Sequence, residues 1–126
     1  MEQKVEYVGV RTAEECRVYR ERQRDGVTSD RVQLPVRHDL RLHSEGFEWG
    51  YAGSGPAQTS LAILADAVGP EKAIPLYQRF KRTYIAGAEK DGFRISRDDV
   101  ERWVAEHYRI PEDAVDGWGN SLGPGE

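Results

Sequence analysis

The 126-residue sequence contains one cysteine, Cys16. An internal disulfide needs two cysteines and a four-thiolate zinc site needs four, so both are excluded. The sequence also lacks a run of about 18 apolar residues, the length that a membrane-spanning helix requires. Its first residues, MEQKVEYVG, contain no apolar signal core. We therefore expect a cytoplasmic protein without a membrane partner, in which Cys16 is inert because no histidine or helix end lies beside it in the sequence.

No large excess of one charge is present either. The chain has 18 basic and 22 acidic residues and a net charge of -4. A protein that coats nucleic acid nonspecifically needs a cationic surface, so nucleic acid is not an expected partner. The apolar residues, 38% of the chain, are clustered. This favours a single α+β domain over residues 1–108, followed by an acidic tail rich in glycine and proline over residues 109–126.

Alternating apolar and polar residues predict strands over residues 4–11 and 16–22, and a short strand over residues 93–95. Asp25–Gly26 is typical of a hairpin turn. For residues 12–24 a helix stays open as an alternative, because the Thr-x-x-Glu sequence that starts there is a capping-box pattern. The sheet is expected to be small and antiparallel.

Two or three helices are expected to pack against this sheet. The first begins at Pro56 with Gly55 as its cap, is apolar around most of its circumference, and ends at Gly69–Pro70. The second runs from about residue 70 to residue 85, with a kink at Pro75. Ser96 caps the third.

The most unusual part of the sequence is the stretch from Trp49 to Ala65, which contains no charged residue. Three glycines there precede a helix N-terminus, where unpaired N–H groups and the helix dipole attract anions. This pattern favours a phosphate site, with flat aromatic faces for a base and two arginines from the second helix. The candidate ligand-binding residues are Trp49, Tyr51, Gly53, Ser54, Gly55, Gln58, Arg79 and Arg82. The alternative is that the glycines only permit close packing of a central helix, with Trp49 and Tyr51 in the core.

The segment HSEGFEWGYAGSGPAQ, residues 43–58, resembles the hallmark of an uncharacterised domain family of bacteria, archaea and their viruses. The lead-in YVGVRT and the later LYQRFKR also fit, and the resemblance covers about residues 5 to 104. One departure is Thr59–Ser60, where the family more often has apolar residues. The resemblance implies a single conserved-type domain and carries no activity with it.

Other reactive side chains have simpler interpretations. Glu48, in a neutral stretch, is a candidate acid or base, or else the partner of an arginine or of backbone amides. His43 precedes Ser44, but adjacent residues rarely face each other as a base and a nucleophile do, so we interpret His43 as a structural hydrogen-bonder. A metal site would need His38, His43 and Asp39 to converge, which a strand would not allow. No metal or cofactor is expected.

Two function classes follow. The first is a non-enzymatic module that holds a small phosphorylated or nucleotide-like ligand at Gly53–Gln58. Its specific form is a viral protein that sequesters a host defence signal. The second is a protein–protein interaction domain that inhibits a host enzyme. A small hydrolase that uses Glu48 and His43 is the third alternative. A homo-oligomer is compatible with these classes, since small domains form deep pockets most easily between subunits.

Overall fold

The computed structural model describes residues 3–108, and the predicted tail over residues 109–126 lies outside them. The strands are β1 (Gln3–Arg11), β2 (Cys16–Arg24), β3 (Val27–Gln33) and β4 (Gly92–Ser96). The helices are α1 (Ser54–Val68), α2 (Pro70–Ala73), α3 (Tyr77–Phe80) and α4 (Arg97–His107), and a π-helical turn (Lys81–Ile85) follows α3. The predicted α+β class is confirmed.

The four strands form one antiparallel sheet in the order β3-β2-β1-β4. Along β1, successive side chains point to opposite faces, and Tyr7 lies on the face that the helices cover. Tyr7, Val18 and Ile95 are buried there, on three neighbouring strands. The opposite face carries charged residues, among them Glu21, which is buried between Arg31 and Arg94.

The alternative helix over residues 12–24 does not form. The Thr12 hydroxyl accepts hydrogen bonds from the backbone N–H groups of Glu14 and Glu15, at 3.3 and 3.1 Å, and so closes the turn between β1 and β2. Asp25 and Gly26 both have positive φ, 54° and 81°. This is the conformation that a tight two-residue hairpin turn requires, so the predicted turn is confirmed.

Helix α1 is the centre of the fold, and eleven of its fifteen residues are buried. It begins at Ser54 with Gly53 as its cap, so the predicted start at Pro56 with Gly55 as cap is wrong by two residues. Pro56 is the third helical residue, where a missing N–H costs nothing because the first four N–H groups of a helix have no internal acceptor. The helix ends at Val68, and Gly69, with a φ of 91°, is its C-cap.

The predicted second helix, residues 70–85, is divided into α2, α3 and the π-helical turn. Pro75 has no N–H to donate to the carbonyl four residues earlier, and α2 ends before it. The next N–H, that of Leu76, donates to the Ala73 carbonyl at 3.0 Å. The π-helical turn closes where the Ala86 N–H donates to the Lys81 carbonyl at 2.8 Å. Pro75 therefore interrupts the helix rather than kinking it.

Helix α4 is capped as predicted, since the Ser96 hydroxyl accepts a hydrogen bond from the Asp99 N–H at 3.0 Å. Trp103 on its buried face meets Phe80 of α3 edge to face, with ring centroids 5.4 Å apart. Within residues 3–108, no helix combines the length and the apolar character needed to cross a membrane.

An ion cluster joins α1 to the sheet. Asp66 accepts hydrogen bonds from the Tyr7 hydroxyl at 2.8 Å and from Arg20 at 2.6 Å, and Arg97 lies 3.6 Å away. Burial, together with the neighbouring carboxylate, raises the pKa of Tyr7 above its usual value. Asp66 is thus the acidic residue of α1 that pairs with Arg20 of β2 and Arg97 of α4.

Candidate functional site

The chain's own side chains occupy the space around the glycines of residues 49–55. A Cβ atom at Gly53 would lie 2.6 Å from Cε2 of Tyr51. A Cβ atom at Gly55 would lie 2.5 Å from Cβ of Glu48. Both glycines therefore let Tyr51 and Glu48 pack directly on the start of α1. Gly50 has φ 88°, a conformation that glycine adopts without strain.

Trp49 is fully buried. Its indole N–H donates to the Lys90 carbonyl at 3.1 Å, and its ring meets Phe93 edge to face at 4.9 Å. The guanidinium of Arg11 lies 5.3 Å from the ring centroid. Every one of these contacts is internal, so Trp49 is placed as a core residue rather than as an open platform for a base.

Gln58 is also fully buried, and its amide is saturated. The oxygen accepts from the N–H groups of His43 and Ser44, at 2.8 and 3.2 Å. The nitrogen donates to the carbonyls of Val36 and Arg41, at 2.7 and 3.0 Å. One side-chain amide has four such positions, and all are used. Gln58 thus fastens the loop of residues 36–44 to α1 and has no hydrogen-bonding position left for a ligand.

Tyr51 and Ser54 are the predicted residues of this loop that are exposed, and Gly53 between them is half-buried. Tyr51 is 44% exposed, and the Lys90 ammonium lies 5.7 Å from its ring centroid. Ser54 is exposed at the first position of α1. The exposed side chains among the predicted residues of this loop are accordingly one tyrosine and one serine.

Glu48 forms a two-pronged ion pair with Arg11, at 2.8 and 3.2 Å, and accepts a hydrogen bond from the Trp49 N–H. The hydrogen bonds from Arg11 hold the pKa of the Glu48 carboxyl below its usual value. A general acid needs the opposite shift. Nearby, burial raises the pKa of the Cys16 thiol, which disfavours the reactive thiolate.

The histidines are held by hydrogen bonds within the chain. His43 Nε2 lies 2.6 Å from the Tyr77 hydroxyl, and His38 Nε2 lies 2.8 Å from the Ser44 carbonyl. Asp39 pairs with Arg37 at 3.0 Å. Across residues 3–108, no three histidine, cysteine or carboxylate side chains are arranged to hold a metal ion.

Arg79 and Arg82, the predicted cationic residues, line a different part of the surface. They border a groove of about 430 Å³ at the helix interruption, which we call the arginine groove. Its other walls are Pro75, Leu76, Gln78, His107 and Tyr108. None of residues 49–58 lines it, so the structure divides the predicted site into a glycine loop and a separate basic groove.

The two arginines of this groove meet no counter-charge in the described part of the chain. Within residues 3–108, neither guanidinium forms an ion pair or a side-chain hydrogen bond. Many other arginines of the chain do meet a carboxylate, as in Arg11, Arg20, Arg37, Arg94 and Arg97. None of the described residues that line the groove carries a carboxylate. Among those residues its lining is therefore basic.

Local backbone geometry positions both arginines. Arg79 lies in α3 and Arg82 in the π-helical turn, whose backbone hydrogen bond spans five residues where that of an α-helix spans four. The Thr83 hydroxyl donates to the Arg79 carbonyl at 3.1 Å. Sequence reasoning identified the arginines but not His107 as their neighbour. The sequence did contain one signal that the two arginines lack a nearby counter-charge, because no acidic residue occurs between Glu71 and Glu89.

A second groove, of about 420 Å³, lies between the C-terminal part of α1 and α4. Its walls are Ala67, Val68, Lys72, Glu101, Val104, Ala105 and Tyr108. Tyr108 lines both grooves.

The model of a family described as a family of unknown function (DUF6166) matches residues 7–106. No curated protein and no solved structure matches the chain.

Proposed function

This chain belongs to that family of unknown function, and we propose that it is a non-enzymatic binding module for a small phosphorylated ligand, held in the arginine groove. The observation that carries the proposal is the pair of guanidiniums, Arg79 and Arg82, which share one groove and have no carboxylate partner among the residues that the structure describes. The proposal keeps the ligand class expected from the sequence and moves its site away from Gly53–Gln58.

The chemistry of the groove favours phosphate. Each guanidinium offers a planar fork of N–H donors that matches two oxygens of a phosphate group. His107 adds a ring beside them, with its Nδ1 held 2.8 Å from the Trp103 carbonyl. The volume of about 430 Å³ falls within the range of roughly 300–1,000 Å³ typical of small-molecule sites.

The glycine loop supports a different function. Tyr51 is 44% exposed, and tyrosine is one of the residues that protein interfaces use as anchors. Protein recognition, with inhibition of a host enzyme as its specific form, is therefore our second candidate. The hydrolase alternative has the least support, since Glu48 is bound by Arg11 and His43 by Tyr77. A homo-oligomer and a viral role in capturing a defence signal stay predictions.

Calorimetric titration with inorganic phosphate and AMP tests the proposal. The double variant Arg79→Gln/Arg82→Gln should bind AMP about 30-fold more weakly, from roughly 1 kcal/mol for each solvent-exposed guanidinium. Arg24→Gln is the matched control, because Arg24 is exposed at the end of β2 and lines neither groove. The double variant should unfold at no lower denaturant concentration than the wild type, because like charges three residues apart repel.

Equal affinity of the wild type and the double variant for AMP would contradict the proposal, as would the absence of binding by both phosphate probes. Inorganic sulfate and acetate should be weaker ligands than phosphate, since a dianion gains more from two guanidiniums than a monoanion and phosphate accepts more readily than sulfate.

A further inference from the structure

We infer that His107 is the third ligand-binding residue of the arginine groove and that it binds the ligand as an imidazolium. Binding of a dianion then favours the uptake of a proton from solvent by this ring. The inference rests on the proposed function and adds the charge state in which the groove takes its ligand. It follows from the way in which α4 holds the ring beside Arg79 and Arg82.

One nitrogen of the His107 ring is committed to α4. Its Nδ1 lies 2.8 Å from the Trp103 carbonyl oxygen. A carbonyl oxygen only accepts hydrogen bonds, so Nδ1 carries a hydrogen and donates it. In the neutral ring the other nitrogen, Nε2, is therefore a lone-pair acceptor, and a further proton on the ring goes to Nε2.

The packing of the ring leaves the Nε2 edge to the groove. The His107 ring stacks on the indole of Trp103, with centroids 4.4 Å apart and an angle of 24° between the planes. Trp103 is itself buried and meets Phe80 edge to face. Nδ1 faces the backbone of α4, so Nε2, on the far side of the ring, points away from the helix. Within residues 3–108, Nε2 makes no hydrogen bond.

The groove around His107 is basic. Besides His107, the ionisable residues that line it are Arg79 of α3, Arg82 of the π-helical turn and Tyr108. On α4 the neighbouring acidic residue in the chain is Glu106. His107 is also the last residue of α4, where the carbonyl groups of a helix C-terminus favour a cation.

The two forms of the ring differ in how they meet a phosphate oxygen. A neutral Nε2 presents a lone pair to the lone pairs of the oxygen, whereas an imidazolium donates a charge-assisted hydrogen bond. The charged ring therefore binds a dianion more tightly than the neutral ring does. By reciprocity, the bound dianion favours the charged ring by the same factor.

The size of this coupling sets the measurement. One charge-assisted hydrogen bond at a half-exposed site should improve affinity about fivefold. Saturating ligand should then raise the pH at which His107 is half protonated by the logarithm of that factor, about 0.7 of a pH unit. Sulfate is the suitable probe, because it keeps its double charge where histidine titrates, whereas phosphate and AMP take up protons themselves.

Proton NMR of the full chain measures the coupling on the ring itself. The Cε1–H resonance of His107 is followed from about pH 5 to about pH 8, with and without saturating sulfate. We expect sulfate to raise the midpoint for His107 by about 0.7 of a pH unit in the wild type and to leave it in place in Arg79→Gln/Arg82→Gln. His38 is the internal control, because it is exposed outside the groove and contacts the Ser44 carbonyl, so its midpoint should not move.

Calorimetric titration with sulfate tests the same coupling through affinity. The wild type should bind sulfate about fivefold more tightly at pH 5 than at pH 8. His107→Gln preserves a good helix former and removes the titrating group, so its affinity should be the same at both pH values. The matched variant, His38→Gln, should keep the pH dependence of the wild type.

Two results would overturn the inference. They are a His107 midpoint that does not respond to sulfate, and a pH dependence of sulfate affinity that survives in His107→Gln. The proposed function stands in either case if AMP binding still depends on Arg79 and Arg82. If AMP binds equally well to the wild type and to Arg79→Gln/Arg82→Gln, the proposed function and the inference fail together.

Discussion

Replacing Gln58 by methionine tests whether this buried amide is a structural fastener. Methionine has nearly the same volume and no strong hydrogen-bonding group, so Gln58→Met removes four hydrogen bonds with little change in packing. Two backbone N–H groups, of His43 and Ser44, and two carbonyls, of Val36 and Arg41, lose their partners. The perturbation is therefore confined to one loop and one residue of α1.

The size of the effect follows from how many of those groups can reach water. An unsatisfied buried polar group costs roughly 1–3 kcal/mol. Arg41 is exposed and its carbonyl regains water, whereas Val36, His43 and Ser44 are only partly accessible. At about 1 kcal/mol for each of these three, the free energy of unfolding should fall by about 3 kcal/mol. For a domain of this size that corresponds to roughly 10–20 °C in Tm.

Urea denaturation followed by circular dichroism measures the loss, and trypsin cleavage after Arg37 and Arg41 reports whether the loop detaches. Gln33→Met is the matched control, since Gln33 is exposed in β3. Its free energy of unfolding should change by no more than about 0.5 kcal/mol. If Gln58→Met loses no more stability than Gln33→Met and its loop is cut no faster, Gln58 is not a fastener and its availability to a ligand has to be reconsidered.

Three further predictions concern the neighbourhood of the glycine loop. Gly55→Ala brings a methyl group 2.5 Å from Cβ of Glu48 and should destabilise the fold by about 1–3 kcal/mol in urea denaturation, whereas Gly46→Ala, which meets open space, should not. Because the pKa of Glu48 is lowered in the folded state from 4.5, its pairing with Arg11 stabilises the protein above that pH and is lost as the pH falls through the folded value. The wild type should therefore lose more stability than Glu48→Gln between about pH 6 and pH 3, and equal losses would contradict the pairing. Since burial raises the pKa of its thiol, Cys16 should react with a maleimide at neutral pH more slowly in the folded protein than in urea; equal rates would show that it is not protected.

Features that depend on adjacent residues were predictable from the sequence. The turn at Asp25–Gly26 and the cap at Ser96 require only a particular residue at a particular backbone conformation. The start of α1 could not be predicted to the residue, because the first four N–H groups of a helix have no internal acceptor and a proline is therefore tolerated throughout the first turn. The division of the second helix depends on whether the segment after Pro75 packs in line with the segment before it, and tertiary contacts decide that.

The candidate site was predictable in its residue types but not in its geometry. The charge-free stretch did identify the most buried element of the fold, which is the simpler of the two interpretations. Whether Trp49 and Gln58 face a ligand or the core is decided by partners far away in the sequence. For Trp49 the partner is the Lys90 carbonyl, and for Gln58 it is a loop about 20 residues earlier in the chain. No local pattern encodes such distant partners.

The arginine groove shows how pairing separates structural charge from available charge. Arg11 and Arg20 each meet a carboxylate supplied by a distant segment, so their charge serves the fold. Arg79 and Arg82 lie in a run without acidic residues, and within the described part of the chain no carboxylate reaches them. Two like charges three residues apart cost stability unless an anion joins them. This arrangement does not stabilise the fold, but it favours the binding of an anion. The arginine groove is therefore a better candidate site than the glycine loop, where the chain's own side chains occupy the space.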